Sequence, residues 1–110
     1  MIKKSIVTLF IIFGIILLVL LVRNKSHPDV EREVVECIGQ NSILYIQLGC
    51  SHCKTQEEIF GDNYQYLNVI DCFFEHELCG DIEYTPTWII NKEKYTGVQT
   101  VDKLKELTGC

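Results

Sequence analysis

Ile43-Leu44-Tyr45-Ile46-Gln47-Leu48-Gly49-Cys50-Ser51-His52-Cys53-Lys54-Thr55-Gln56-Glu57-Glu58-Ile59-Phe60-Gly61 is the stretch on which the fold turns. Ile43–Leu48 is an apolar, β-prone run that suits a buried strand. Gly49 opens a turn, and Cys53–Phe60, free of Gly and Pro and stopped by Gly61, predicts a helix whose first turn contains the cysteine pair. Two residues between the cysteines, bent into that turn, bring the sulfurs within bonding reach. Cys-X-X-Cys at a strand-to-helix turn reads as a redox dithiol. The free N–H groups and positive dipole end of the helix favour a thiolate on the outer sulfur, so Cys50 is the attacking group and Cys53, one turn inside, the buried resolving one. His52 lies between them, where an imidazole stabilises the Cys50 thiolate by charge or hydrogen bond. That favours the reduced pair, and a pair whose reduced form is stabilised is the better oxidant.

Outward from this unit the pattern continues as alternating elements. Upstream, Val30, Val34, Val35 and Ile38 recur at helical spacing, predicting an amphipathic helix over 29–39 that ends at Gly39. Downstream, Tyr66–Ile70 predicts a second strand, and Cys72–Gly80 a short irregular or helical excursion. Thr85-Pro86 precedes a third strand, Thr87–Ile90; Asn91-Lys92-Glu93 turns the chain into a fourth, Lys94–Thr96. Val101, Leu104 and Leu107 give a last amphipathic helix with Thr100 as N-cap and Gly109 as stop. The order, α-β-α-β-(x)-β-β-α, is that of an α/β domain with a helix-covered sheet.

The whole chain has 110 residues, which allows one such domain and excludes two. Its charge is uneven. Residues 1–28 carry Lys3, Lys4, Arg23 and Lys25 and no acid, whereas 29–110 carry six bases and all 15 acids, a formal −9. A domain of that sign repels phosphate backbones, which argues against nucleic-acid binding. Ile6 to Val22, IVTLFIIFGIILLVLLV, is a run without charge that as helix spans about 26 Å. It is longer than a secretory h-region and ends in Leu21-Val22-Arg23-Asn24-Lys25 without small residues at a cleavage site, so an uncleaved membrane anchor over residues 6–22 is expected. Ser26-His27-Pro28 is a polar connector, dividing an anchor over 1–28 from a domain over 29–110. Basic residues flank the apolar run on both sides, so charge bias barely orients it. Six cysteines are easier to keep as disulfides or exchanging thiols outside the cytoplasm, which favours a single-pass topology with the N-terminus cytoplasmic and the domain extracytoplasmic.

Cys50-Ser51-His52-Cys53, Thr85-Pro86-Thr87-Trp88 and Tyr95-Thr96-Gly97-Val98 together resemble the thioredoxin-like disulfide oxidoreductases, and among them the thioredoxin-like domain associated with bacterial vitamin K epoxide reductase homologues. Phe60-Gly61, Asp71-Cys72 and Cys79 fall where that family has matching residues. The resemblance covers about residues 43–109 and implies a thioredoxin-like fold: a central mixed four-stranded sheet flanked by helices. It further implies that Pro86 is cis and sits against the Cys-X-X-Cys, with the Thr85 backbone left to pair with an extended substrate. Ser51 replaces a common Pro, Gly49 replaces an aromatic, and Ile43–Leu48 contains no acid, so the buried carboxylate that relays protons in ordinary thioredoxins has no counterpart in that strand.

With Cys50 paired to Cys53, four cysteines leave three connectivities. Cys72 and Cys79 enclose six residues and close most easily; by elimination Cys37 and Cys110 join the N-terminal helix to the C-terminus, although a terminal cysteine can equally stay free or exchange with a partner. Two further readings stay open: Cys72–Cys79 as an electron relay to Cys50–Cys53, and zinc at these four residues, which leaves the Thr-Pro-Thr-Trp context unexplained. The expected activity is protein thiol–disulfide exchange, with no bound organic cofactor and no metal. Its favoured direction is oxidation of protein thiol substrates, the pair being reoxidised in trans by a membrane quinone reductase of vitamin K epoxide reductase or DsbB type. A reductase or isomerase running the same exchange backwards, and a tethered module that binds partners or soft metal without catalysis, are the alternatives. His27 and His76 read as solvated, Trp88 and Tyr45 as core.

Overall fold

A computed structural model describes residues 2–23 and 30–110. The connector Ser26-His27-Pro28, and with it the boundary between 1–28 and 29–110, lies outside the described residues. The apolar run forms α1 (Ile2–Arg23), which carries no acid, keeps Lys3, Lys4 and Arg23 at its ends, and is long and apolar enough to cross a membrane. At 22 residues it spans about 33 Å, close to the hydrocarbon thickness of a bilayer.

The remaining elements are α2 (Arg32–Gln40), β1 (Ile43–Ile46), α3 (Ser51–Phe60), β2 (Val69–Asp71), β3 (Thr87–Ile90), β4 (Glu93–Thr96) and α4 (Val101–Thr108), with 3₁₀ turns at Gly61–Tyr66 and His76–Cys79. The strands form one sheet in the order β2-β1-β3-β4; β1 and β2 are parallel, and the other two pairs antiparallel. This is the mixed four-stranded sheet expected from the sequence, in a thioredoxin-like arrangement. Its alternation sorts the side chains. Leu44, Trp88 and Ile90 point to one face, where Val35 and Ile38 of α2, Phe60 of α3 and Leu104 of α4 complete a core sealed from water. Ile43, Tyr45, Ile70 and Ile89 lie on the opposite face and are half-buried. No helix lies between β2 and β3. The chain makes that connection with the 3₁₀ turn His76–Cys79, stapled by a Cys72–Cys79 disulfide, and Lys94 Nζ on β4 donates to the Asp81 carbonyl beyond it.

The second strand begins at Val69, three residues later than the apolar run Tyr66–Ile70 suggests. Close packing of α2 explains the delay. Gly39 sits against the 3₁₀ turn, and a Cβ there would collide with the Tyr66 carbonyl oxygen and the Leu67 backbone. Tyr66 stays in the turn with its ring 4.4 Å below the Arg32 guanidinium, and Leu67 enters the core. At the hairpin, Asn91 and Lys92 adopt φ 51° and 67°, the left-handed pair that a two-residue connection between twisted strands needs. Thr100 caps α4 by accepting from the Lys103 N–H, and Gly109 ends it at φ 77°.

Cys37 on α2 is bonded to Cys110 just past α4, Cα to Cα 6.0 Å, closing a separation of 73 residues. A cross-link over so long a loop removes unfolded-state entropy worth about 4 kcal/mol in the chain-entropy model. Replacing both cysteines by alanine is expected to lower unfolding free energy by about 2–5 kcal/mol, read from urea unfolding of the full chain in detergent, while leaving Cys50 as reactive as before.

Candidate active site

β1 ends at Ile46, and the chain turns through Gln47, Leu48 and Gly49 before α3 begins at Ser51. Gly49 takes φ 84°, a conformation that suits glycine, and the Cys50 N–H closes the turn onto the Gln47 carbonyl at 3.1 Å. Cys50 is therefore the N-cap of α3, one position ahead of the helix. Its sulfur accepts a hydrogen bond from the Cys53 N–H at 3.2 Å, taking the place that a serine or aspartate oxygen holds at other helix starts. The two cysteines form a disulfide with Cα atoms 5.2 Å apart. Cys50 is half-buried, whereas Cys53 is 6% exposed. The pair is thus asymmetric, with one sulfur reachable from solvent and the other withdrawn.

β3 approaches from the opposite direction. The Thr85–Pro86 peptide is cis, Pro86 is fully buried, and the Thr85 carbonyl oxygen lies 3.5 Å from Cys50 Sγ. Thr85 lies beyond Tyr45–Thr87, the last pair of the β1–β3 ladder, so strand pairing does not occupy its backbone. Cys50, Cys53, Thr85 and Pro86 thus meet at one end of the sheet. His52 is exposed on the first turn of α3 and its imidazole makes no hydrogen bond or ion pair with another described residue; His76 is exposed as well. Among the described residues no three of His, Cys, Asp or Glu are grouped as metal ligands.

Three further positions shape the site; the sequence marks Asp71 only as a match to the family, and Gln56 and Tyr64 not at all. Gln56, wholly buried, follows Cys53 by one turn; its Oε1 accepts from the Trp88 indole N–H at 3.0 Å and from the Gln99 N–H at 2.7 Å, and its Nε2 donates to the Gln99 carbonyl at 3.0 Å. The signal was present: Cys53, Gln56 and Phe60 fall on one helical face, and a polar residue on a buried face needs a partner. Asp71, ending β2, accepts from the Leu48 N–H at 3.2 Å and the Phe73 N–H at 2.9 Å, tying the approach to Cys50 onto the neighbouring strand. Tyr64 completes a cavity of about 530 Å³ beside the disulfide, whose walls include Cys50, Cys53, Lys54, Glu57 and Asp71. Burial, followed by the nearby charges of Glu57 and Asp71, pushes the Tyr64 hydroxyl up to about 12.

The chain is 36% identical over 77 residues to the thiol-disulfide oxidoreductase LTO1 of Arabidopsis thaliana, a match covering 60% of this chain and 20% of that protein. The chain is similar to a thiol-disulfide oxidoreductase. It spans about a fifth of that relative's length. No protein-family model matches.

Gln56→Leu keeps the volume and removes the acceptor that the buried Trp88 indole and the partly buried Gln99 N–H share. Each orphaned N–H costs about 1–3 kcal/mol, so the variant is expected to unfold about 2–5 kcal/mol more easily in urea, with a red-shifted Trp88 emission in the native baseline as the indole loosens.

Proposed function

We propose that the chain is a membrane-anchored thiol–disulfide oxidoreductase that exchanges disulfides with protein substrates through Cys50 and Cys53. The observation that carries this reading is the position of Cys50 Sγ: half-exposed, at the start of α3, and 3.5 Å from a backbone carbonyl that no strand pairing claims. A substrate thiolate attacks Cys50 Sγ in line with the disulfide; a bond forms between substrate sulfur and Cys50, the Cys50–Cys53 bond breaks, and Cys53 leaves with the electron pair. The extended substrate is held against the Thr85 backbone beside Pro86, as an added strand is held at a sheet edge. A second substrate thiolate then attacks the substrate sulfur of the mixed disulfide and expels Cys50 as a thiolate, leaving substrate oxidised and the pair reduced by two electrons.

Oxidation is the favoured direction because the leaving Cys50 thiolate emerges at a helix N-terminus, where the Cys53 N–H and the dipole stabilise it, with His52 two residues further along the chain. Stabilising the reduced pair by about 1.4 kcal/mol raises its potential by about 30 mV. The likeness of Cys-Ser-His-Cys, Thr-Pro-Thr-Trp and Tyr-Thr-Gly-Val to domains associated with vitamin K epoxide reductase homologues supports reoxidation by a membrane quinone reductase of that type or of DsbB type. The apolar helix Ile2–Arg23 supports an anchor over residues 6–22, and the cysteine content favours a domain on the extracytoplasmic side with the N-terminus cytoplasmic.

The full chain, oxidised and in detergent micelles, is expected to form disulfides in a reduced, unfolded multi-disulfide test protein. Cys50→Ala reduces this to the uncatalysed rate. Cys53→Ala, supplied as a mixed disulfide between Cys50 and a small thiol, passes that bond to substrate once and leaves covalent Cys50–substrate adducts visible on non-reducing gels. A binding module would show neither turnover nor adducts.

A further inference from the structure

The mechanism leaves one group unaccounted for. Cys53 must give up a proton when it attacks and take one back when it leaves, and it does so in a position 6% exposed, where an unpaired sulfur anion is costly. In this chain β1 offers no acid for that purpose. The cavity beside Cys53 offers other groups. Glu57 lies four residues beyond Cys53 on α3, hence on the same side of the helix, and lines that cavity. Tyr64, on the 3₁₀ turn Gly61–Tyr66, lines the same cavity; its hydroxyl oxygen is buried and has no hydrogen-bond partner among the described protein groups. A buried hydroxyl with no partner is uncommon enough to call for a function.

We infer that Glu57 exchanges the proton of Cys53 and that the Tyr64 hydroxyl positions the path between them across this cavity. The inference rests on the exchange chemistry proposed above. When Cys53 attacks the Cys50–substrate disulfide, a Cys53–Cys50 bond forms, the bond from Cys50 to substrate breaks, and the substrate sulfur departs with the electron pair. The thiol proton passes to the Glu57 carboxylate. When a substrate thiolate opens the Cys50–Cys53 disulfide, the same proton returns to the departing Cys53. Tyr64 suits the intermediate place because burial and the charges of Glu57 and Asp71 hold it protonated, so the hydroxyl accepts on one side while donating on the other. The cavity, about 530 Å³ with Ser51, Lys54, Glu57 and Asp71 on its otherwise largely apolar wall, has room for waters to complete the path.

The remaining charged groups facing the cavity do not take this part. Asp71 accepts two backbone N–H groups on Oδ1 and serves to tie the turn before Cys50 to β2, and Lys54 is a cation with no site for the proton. Glu58 is exposed on the adjacent position of α3 and is not among the residues lining the cavity, which makes it the control for simple loss of charge.

The test separates the two sulfurs in time. The full chain in detergent, reduced, is mixed with oxidised glutathione, quenched with acid at intervals, and the peptide bearing Cys50 and Cys53 is analysed by mass spectrometry. Glutathionylation at Cys50 reports the first attack, and its disappearance into the Cys50–Cys53 disulfide reports the second. Glu57→Gln and Tyr64→Phe are expected to leave the first phase within about twofold of the parent and slow the second about tenfold or more near pH 7. The deficit narrows as pH rises, because solvent base then removes the proton. Glu58→Gln leaves both phases unchanged. Tyr64→Phe keeps or raises thermal stability, since it deletes an unpaired buried hydroxyl; should it fail to fold, the exposed Glu57→Gln carries the test. A second phase unchanged in Glu57→Gln, or both phases slowed equally at every pH, overturns the inference. A parent chain that forms no Cys50 adduct overturns the exchange reading itself.

Discussion

The carboxamide of Gln56 makes three hydrogen bonds in a place without water, and the geometry of the sulfur site depends on them. It belongs to α3, the helix that Cys50 caps; its partners are the indole of β3 and the backbone just before α4. A hydrogen bond adds only about 1 kcal/mol net when made, but a buried polar group left unpaired costs about 1–3 kcal/mol, so rotation or sliding of α3 is penalised several times over. Apolar packing of Phe60 on Trp88, ring centroids 6.1 Å apart, holds the same helix to the same strand without specifying its register so sharply. The result reaches across the domain: with α3 fixed on β3, the first residue before the helix meets the segment before the strand, and Cys50 faces Thr85.

That meeting point is where backbone chemistry is least satisfied. A helix start presents N–H groups without helical partners, and a strand start presents backbone beyond its ladder. In most proteins these ends are capped and forgotten. Here the cap is a sulfur atom, held by the Cys53 N–H and covalently joined to a residue inside the helix. Opening the disulfide frees the outer sulfur at the electropositive end of α3 and the inner one in a dry wall. The electrostatics at the outer position favour an anion, whereas the inner position needs a proton at hand. The division of labour between the two cysteines follows from depth rather than from any difference in the residues themselves.

Much of this was legible in the sequence because it is local. The strand–Gly–Cys-X-X-Cys–helix unit, the Thr-Pro before β3, the two-residue hairpin and the Thr100 and Gly109 ends of α4 each depend on residues within a few positions of one another. The start of β2 was misread because Tyr66 and Leu67, apolar and β-prone, are claimed by α2 through Gly39, nearly thirty residues away in the chain. Tyr64 was invisible as a site residue because the 3₁₀ turn between α3 and β2 carries it to the cavity beside Cys53, and Asp71, legible only as a family match, reaches Leu48 through the parallel pairing of β1 with β2. Gln56 could have been found, since a polar residue in step with Cys53 and Phe60 contradicts the apolar face it interrupts. The half-covered second face of the sheet was equally illegible, because it arises where a seven-residue disulfide step, Cys72 to Cys79, stands between β2 and β3 in place of a helix.

The most direct measure of the central claim, that the end of α3 stabilises the Cys50 thiolate and so makes the pair a taker of electrons, is its standard potential. The full chain is equilibrated in glutathione buffers of known ratio and the Cys50–Cys53 peptide is quantified by alkylation and mass spectrometry. The account predicts a value well to the oxidising side of thioredoxin, which lies at about −270 mV. A pair poised at or below that value would contradict it.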